Sequence, residues 1–213
     1  MSRADFIGID LTTSEAKGSA CLGIDRDLNL TFAGFLGADA DLVALVVGEG
    51  PCLVAIDAPL TLPSGLCCLE EGCACQPEGA KGRECERQLA RQGISCYFTT
   101  KRSIIKGMTY RGIRLRGLLE ERGCQVIEVY PYASKVCLWG KDIPPKSKAV
   151  GRAFLREKVA SLIPSVAAYV AGFNHDLCDA AVAAYTAYLH HSNKTEPVGS
   201  LEEGVIWLPQ RLG

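Results

Sequence analysis

Two short apolar runs that each end at an aspartate constrain the fold of this chain more than any other sequence feature. The first run ends at Asp10 and the second at Asp57. The second run, CLVAID at positions 52–57, is typical of a central strand buried on both faces. Because ligands of open α/β sheets gather at strand ends, both aspartates are candidates for one shared site. The alternative for each is that it begins a turn, as aspartate commonly does.

The segments around these runs predict the element order of an α/β fold. Apolar stretches follow the first run at hairpin spacing, and longer periodic stretches later in the chain predict helices. The further elements are strands at 19–24, 28–36 and 125–130 and helices at 39–47, 152–163 and 175–191. Three antiparallel strands, a helix, another strand, an insertion and closing elements are the order of the ribonuclease-H-like fold. We therefore predict a mixed five-stranded sheet flanked by helices.

The segment from about residue 62 to 123 differs in composition and is predicted as an insertion between strands four and five. It opens with a loop rich in glycine and cysteine at 64–82 and continues into two helices at 83–92 and 112–122. The chain has 213 residues, which fits a single ribonuclease-H-like domain over 1–213. No uncharged apolar window of about 18 residues is present, so no membrane span is predicted.

Acidic residues later in the chain extend the candidate site. Glu128 interrupts an apolar strand, so its burial requires a metal ion, an arginine or a backbone donor as partner. Asp176 and Asp179 share one helix face, and His175 shares that face with Asp179. The favourable helix dipole explains Asp176 better than Asp179, whose small apolar neighbours indicate a packed turn. His175 by itself is more often a capping or packing residue than a ligand.

Carboxylates gathered at one point predict a site for divalent cations. They repel one another unless cations are present, and clustered oxygen ligands suit magnesium or manganese better than zinc or copper. Two such ions about 4 Å apart are a standard device for hydrolysing phosphodiesters. We therefore expect a metal-dependent nuclease acting on DNA or RNA. The predicted catalytic residues are Asp10, Asp57, Glu128, His175, Asp176 and Asp179, and all of them except His175 are predicted metal ligands.

The insertion carries an excess of positive charge. Residues 81–122 contain eleven basic and four acidic residues, although the whole chain has a net charge of −1. Such asymmetry points to a polyanionic partner, here nucleic acid. The alternative is a solvated helical face with local ion pairs. The residues predicted to contact the nucleic-acid backbone are Lys101, Arg102, Arg111 and Arg114.

The chain contains eleven cysteines. Their odd number and the lack of a secretory signal predict reduced thiols and a cytoplasmic protein rather than a disulfide framework. Five of them lie close together in the sequence and form one candidate group: Cys67, Cys68, Cys73, Cys75 and Cys85. Their spacing departs from the paired knuckles usual in zinc sites. Two interpretations therefore stay open, a zinc or iron–sulfur centre and plain reduced thiols.

Several motifs in chain order resemble the domain-of-unknown-function family 429. They are IGID at 7–10, AIDAP at 55–59, RECE at 83–86, GI at 93–94, IEVYP at 127–131, HDLCDA at 175–180 and EEGVIWLP at 202–209. The resemblance implies a ribonuclease-H-like fold and a predicted nuclease, with an acid pattern similar to that of bacterial Holliday-junction resolvases. The positions that match this pattern are Asp10, Asp57, His175, Asp176 and Asp179. Resolvases carry glutamate at the position of Asp57, and the Asp57 side chain is one methylene shorter than glutamate.

Two other functions stay open. The segment GIDLTTS at 8–14 resembles the first phosphate loop of actin-like and sugar-kinase ATPases, which are phosphotransferases. Those proteins pair two such domains and carry a late glycine-rich adenosine loop, which this sequence lacks. The other alternative is a noncatalytic nucleic-acid-binding module stabilised by a metal ion at the same acids.

Overall fold

The computed structural model describes residues 3–211 as a mixed α/β fold. Its strands are β1 (Phe6–Asp10), β2 (Ser19–Ile24), β3 (Leu30–Leu36), β4 (Leu53–Asp57), β5 (Val126–Val129), β6 (Thr195–Ser200) and β7 (Gly204–Pro209). Its α-helices are α1 (Asp39–Glu49), α2 (Glu84–Arg91), α3 (Lys106–Glu120), α4 (Pro131–Trp139), α5 (Ala149–Leu162) and α6 (His175–His191). No helix in the described range is long and apolar enough to cross a membrane.

The strands form one sheet in the order β3-β2-β1-β4-β5-β7-β6, with apolar layers on both faces. Helices α5 and α6 cover one face, and α1 and α3 cover the other. Strand β1 pairs antiparallel with β2 and parallel with β4, and β4 pairs parallel with β5. The carboxyl ends of β1, β4 and β5 therefore lie at the same edge of the sheet.

The sheet has seven strands, so the prediction of five strands was wrong. The two additional strands, β6 and β7, form a C-terminal antiparallel hairpin, and β7 continues the sheet by pairing parallel with β5. The sequence of β6, TEPVGS, lacks the alternating apolar pattern that identifies a strand. Its Pro197 is acceptable because β6 is an edge strand, where a missing N–H costs no ladder hydrogen bond.

Helix α4 was also not predicted, because it follows β5 directly. Pro131 ends the strand and occupies the first helical turn, where its fixed φ and missing N–H suit a helix start. The insertion between β4 and β5 contains α2 and α3, and it begins with a long segment, residues 58–83, that has no helix or strand.

Helix α6 crosses β1 at unusually short range. A Cβ atom added to Gly8 would lie 2.1 Å from the carbonyl oxygen of Ala180 and 2.3 Å from the nitrogen of Ala184. The two alanines are fully buried. A glycine on the strand and alanines on the helix therefore set the distance between α6 and the sheet.

Substituting Gly8 with alanine is expected to destabilise the protein. The new methyl group would meet helix backbone, which cannot rotate away, and overpacking of this kind costs about 1–3 kcal/mol. Urea unfolding measures the loss. The control is Gly34→Ala in β3, where an added Cβ meets nothing within 4 Å, and stability should hold or rise by about 0.4–1 kcal/mol. Equal stability of the two variants would contradict the close packing.

Candidate functional site

Asp10 and Asp57 are register partners at the carboxyl ends of β1 and β4. Neighbouring strands are about 4.7–4.9 Å apart, and in-register residues of parallel strands point to the same face. Both side chains are half-buried. Among the hydrogen bonds of residues 3–211, none reaches a carboxylate oxygen of either residue. The two carboxylates are therefore adjacent and accept no hydrogen bond from a described residue, and the nearby lysine charges offset theirs only in part.

The pKa values of Asp10 and Asp57 show that ionisation of this pair is unfavourable. Burial raises the pKa of Asp10 to about 9, and the charges of Asp57, Asp179 and Asp176 add to the rise. Burial likewise raises the pKa of Asp57 to about 8, with Asp179 as the largest charge acting on it. Each carboxylate makes ionisation of its neighbours less favourable. A cation placed among them would relieve this repulsion.

Asp179 is buried in α6 and is the one aspartate of the group with lysine partners. Its Oδ1 accepts a hydrogen bond from Lys135 Nζ at 2.7 Å, and its Oδ2 accepts one from Lys146 Nζ at 2.8 Å. Burial acts to raise the pKa of Asp179, but the two ammonium groups bring it below its ordinary value. Asp179 is therefore ionised, and it carries its charge into the cluster.

Sequence reasoning missed both lysines. Lys135 is buried on α4, and the available signal was a lone lysine inside the apolar helix PYASKVCLW. The Lys146 side chain is 51% exposed and follows two prolines in a loop, where nothing in the sequence marks it. Burial acts to lower the pKa of Lys146, but Asp179, Asp10 and Asp57 raise it above its ordinary value. Both lysines are thus cationic members of the site.

Asp176 and His175 form the outer part of the site, in the first turn of α6. Asn174 caps this helix by accepting a hydrogen bond from the Leu177 N–H at 3.0 Å, and its Nδ2 donates to Asp176 Oδ2 at 3.0 Å. Nδ1 of His175 lies 2.6 Å from Asp176 Oδ1. Asp176 also acts on the pKa of Asp10, so the cap places it within electrostatic reach of the strand ends.

Glu128 lies close enough to act on the pKa of Asp57, but its oxygens are engaged by other protein donors, which argues against its prediction as a metal ligand. Both its oxygens accept hydrogen bonds from the Arg83 guanidinium, at 2.6 and 2.7 Å, and Oε2 also accepts one from the Leu60 N–H at 2.8 Å. Arg83 is itself buried and donates from Nε to Glu86 at 2.9 Å. Glu128 therefore has the arginine partner that its burial requires, and it holds the chain just beyond Asp57 against the sheet.

Arg111, predicted to contact nucleic acid, also makes its hydrogen bonds within the protein. Its side chain is buried and donates to Asp39 Oδ1 at 2.7 Å and to the carbonyls of Thr12 and Gly37 at 3.0 Å each. These bonds tie α3 to α1 and to the loop that follows β1. Arg111 thus supports the position of the Asp10 end of β1 and offers no donor to a ligand in solution.

The other three predicted phosphate contacts divide into two groups. Lys101 is half-buried, and its Nζ donates to the carbonyls of Cys73 and Cys75, both at 2.6 Å. Arg102 and Arg114 are exposed by 87% and 57%. Many basic residues of the 81–122 segment pair with acids outside that segment, which are Glu15, Asp39, Glu70, Glu71, Glu128 and Glu203. Local ion pairs thus account for much of the charge excess. Arg102 pairs with Glu71 and Arg114 with Glu15 and Asp39, but both guanidinium groups are exposed at the surface.

Four of the five cysteines predicted as a soft-metal group lie together in the structure. The sulfur atoms of Cys67, Cys68, Cys73 and Cys75 are all within 4.8 Å of one another. Cys85 is separate from them, because it is fully buried on α2 in an apolar cluster with Leu89 and Ile94. Its prediction as a member of the soft-metal site is therefore corrected.

Comparisons with known proteins give a family and a structural neighbour. A family model described as "Protein of unknown function (DUF429)" matches residues 8–203. No curated protein matches the chain. A solved structure titled "Thermus thermophilus RuvC structure" is similar at 13% identity with a TM-score of 0.45, covering 95% of this chain and 98% of that chain. The family match spans all the aspartates and lysines of the site.

Proposed function

The chain belongs to the DUF429 family, and we propose that it is a metal-dependent nuclease with a ribonuclease-H-like fold. One observation carries the proposal: Asp10 and Asp57 stand side by side at strand ends without a protein donor, within electrostatic reach of Asp176 and Asp179. The strand order β3-β2-β1-β4-β5 within the larger sheet, with α6 packed on β1, supports the fold assignment.

The residues present fit one or two magnesium or manganese ions. The site offers carboxylate oxygens, the ligands that these hard cations prefer. Four aspartates face two lysines, so the cluster with all its carboxyls ionised has a formal charge of −2 that divalent cations can balance. The ions would be held by Asp10, Asp57 and Asp176, and by Asp179 through the second lone pair of each oxygen, since each oxygen accepts only one hydrogen bond from a lysine. When bound, such ions activate an attacking water and stabilise the leaving oxygen of a phosphodiester.

The remaining side chains position and assist this set. Lys135 is buried and holds Asp179 in one orientation through its 2.7 Å hydrogen bond. Lys146 is half-exposed beside the same carboxylate, so its ammonium group can contact a phosphate oxygen of a substrate. His175 faces Asp176 through Nδ1, which leaves Nε2 to exchange a proton with water or with the leaving oxygen.

Nucleic acid is the proposed substrate class. The guanidinium groups of Arg102 and Arg114 and the ammonium group of Lys146 pair with carboxylates but are exposed, so phosphate oxygens of a nucleic-acid backbone can reach them. All eleven cysteines are free thiols, which suits the reducing cytoplasm proposed as the location of the protein.

The ATP-binding alternative finds less support in the geometry of the loop after β1. Gly8 is required by its contact with α6 rather than by a phosphate. The Thr12 hydroxyl donates to the Lys17 carbonyl at 2.6 Å, so it is already engaged within the loop. Calorimetric titration with ATP and magnesium separates the two functions, since we expect no saturable ATP binding.

A cleavage assay on a panel of labelled substrates tests the nuclease proposal. The panel holds single-stranded, double-stranded and branched DNA and RNA, each with magnesium, manganese or EDTA. We expect at least one substrate to be cleaved, and we expect this cleavage to require the added metal. The control variant Asp27→Asn, whose substitution is at an exposed position outside the site, should cleave the same substrate. Absence of cleavage across the panel, or cleavage that persists in EDTA, would contradict the proposal.

A further inference from the structure

The thiols of Cys67, Cys68, Cys73 and Cys75 have the spacing of ligands to a single metal ion. All four sulfur atoms lie within 4.8 Å of one another, and those of Cys67 and Cys73 are 3.6 Å apart. Tetrahedral zinc binds thiolates at about 2.3 Å, which places the sulfur atoms about 3.8 Å from one another. Small side-chain rotations therefore suffice to close the set around one ion. An iron–sulfur cluster has several irons between its cysteines and needs a wider set.

A lysine next to these thiols favours a bound, negatively charged metal centre. Lys101 Nζ donates to the carbonyls of Cys73 and Cys75 at 2.6 Å each, which places an ammonium group against the two cysteine backbones. Four thiolates around one zinc ion carry a net charge of −2, and a cation in this position offsets part of it. Residues just outside the ligand set commonly orient metal ligands and tune their charge.

The loop that carries these cysteines has no regular secondary structure to hold it in place. Residues 58–83 form no helix or strand, and a structureless segment of this length is uncommon within a compact fold. The loop is attached to α3 at Leu69, which is fully buried and whose N–H donates to the Tyr110 hydroxyl at 2.6 Å. The four cysteines lie on both sides of this attachment. A shared ion would therefore close the loop around its anchor.

We propose that Cys67, Cys68, Cys73 and Cys75 bind one zinc ion, which orders the 64–78 loop and fixes it to the start of α3. The site is separate from the aspartate cluster and does not depend on the nuclease proposal. Soft thiolate ligands and hard carboxylate ligands select different metals, so one chain can hold both kinds of ion. Lys101 then supports the zinc loop instead of contacting nucleic acid.

Metal analysis of the reduced full-length protein tests the proposal. After removal of metal and titration with zinc, we expect one equivalent of bound zinc, and cobalt in its place should give the intense visible absorption of a tetrahedral thiolate site. Cys73→Ser/Cys75→Ser should lose both signals, and the control Cys124→Ser, with its thiol outside the cluster, should keep them. Zinc below about a tenth of an equivalent, one equivalent of iron in preference to zinc, or full binding by the double variant would overturn it.

Limited trypsin digestion supplies a readout that does not depend on folding of the variants. Wild-type protein without metal should be cut faster at Lys81, Lys101 and Arg102 than the zinc-loaded protein, because the loop is released. Asp10→Asn should show the same difference, since its site lies elsewhere. Cleavage rates that zinc leaves unchanged would contradict an ordering role for the ion.

Discussion

Asp10→Asn is expected to lower magnesium-dependent cleavage by about 10³-fold, which corresponds to about 4 kcal/mol of lost transition-state stabilisation. Asparagine keeps the size of the side chain but removes the charge. In the proposed site Asp10 stands at the end of β1 beside Asp57, where it contributes a metal ligand that the neighbouring carboxylates cannot replace. Single-turnover kinetics with the best substrate of the panel measures the loss.

Three accompanying measurements separate this outcome from misfolding. Nucleic-acid affinity of Asp10→Asn should stay close to the wild-type value, and Asp27→Asn should cleave normally. The pKa of Asp10 is raised to about 9 by burial and by its acidic neighbours, so folding without metal at neutral pH must protonate this carboxyl, which costs stability. Asp10→Asn should therefore be more stable than wild type in EDTA. Undiminished cleavage, or a variant less stable than wild type in EDTA, would contradict the assignment.

Arg83→Met is expected to destabilise the protein by about 3–5 kcal/mol, because it leaves buried carboxylates without their counter-ion. The Arg83 and Glu128 side chains are 1% and 5% exposed, and Glu86 is 2% exposed. One guanidinium group serves both acids. For a chain of this size the loss corresponds to a fall in Tm of about 6–20 °C.

A double-mutant cycle and a surface control test this assignment. Arg83→Met/Glu128→Gln should recover part of the stability lost in Arg83→Met, since the buried charge is removed together with its partner. Arg102→Met removes an arginine that is 87% exposed and should change stability by less than about 0.5 kcal/mol. An Arg83→Met protein within about 1 kcal/mol of wild type would show that the pair is solvated.

The sequence predicted three aspartates of the site because each of the three breaks a local apolar pattern. Asp10 and Asp57 end apolar strands, and Asp179 is surrounded by small apolar residues on a helix. These patterns depend on neighbours in the chain, and the structure brings the residues to one edge of the sheet. Whether they bind metal stays a prediction.

The partners of the charged residues could not be predicted, because they come from distant parts of the chain. Arg111 pairs with Asp39, which lies 72 positions away in the sequence, and Glu128 pairs with Arg83, which lies 45 positions away. A charge count over residues 81–122 includes the arginines but leaves out the acids that neutralise them, because most of these acids lie elsewhere in the chain. Strand β6 escaped prediction for a related reason, because its pairing with β7 rather than its own composition makes it a strand.

Calorimetric titration of manganese into the zinc-loaded protein tests the central claim most directly. With the thiols already occupied, we expect saturable binding of one or two manganese ions to wild type. Glu128→Gln should retain this binding, because both oxygens of Glu128 belong to Arg83. Asp10→Asn/Asp57→Asn should lose it. Wild-type protein that binds no manganese, or a double variant that binds it as tightly as wild type, would contradict a metal centre at the strand ends.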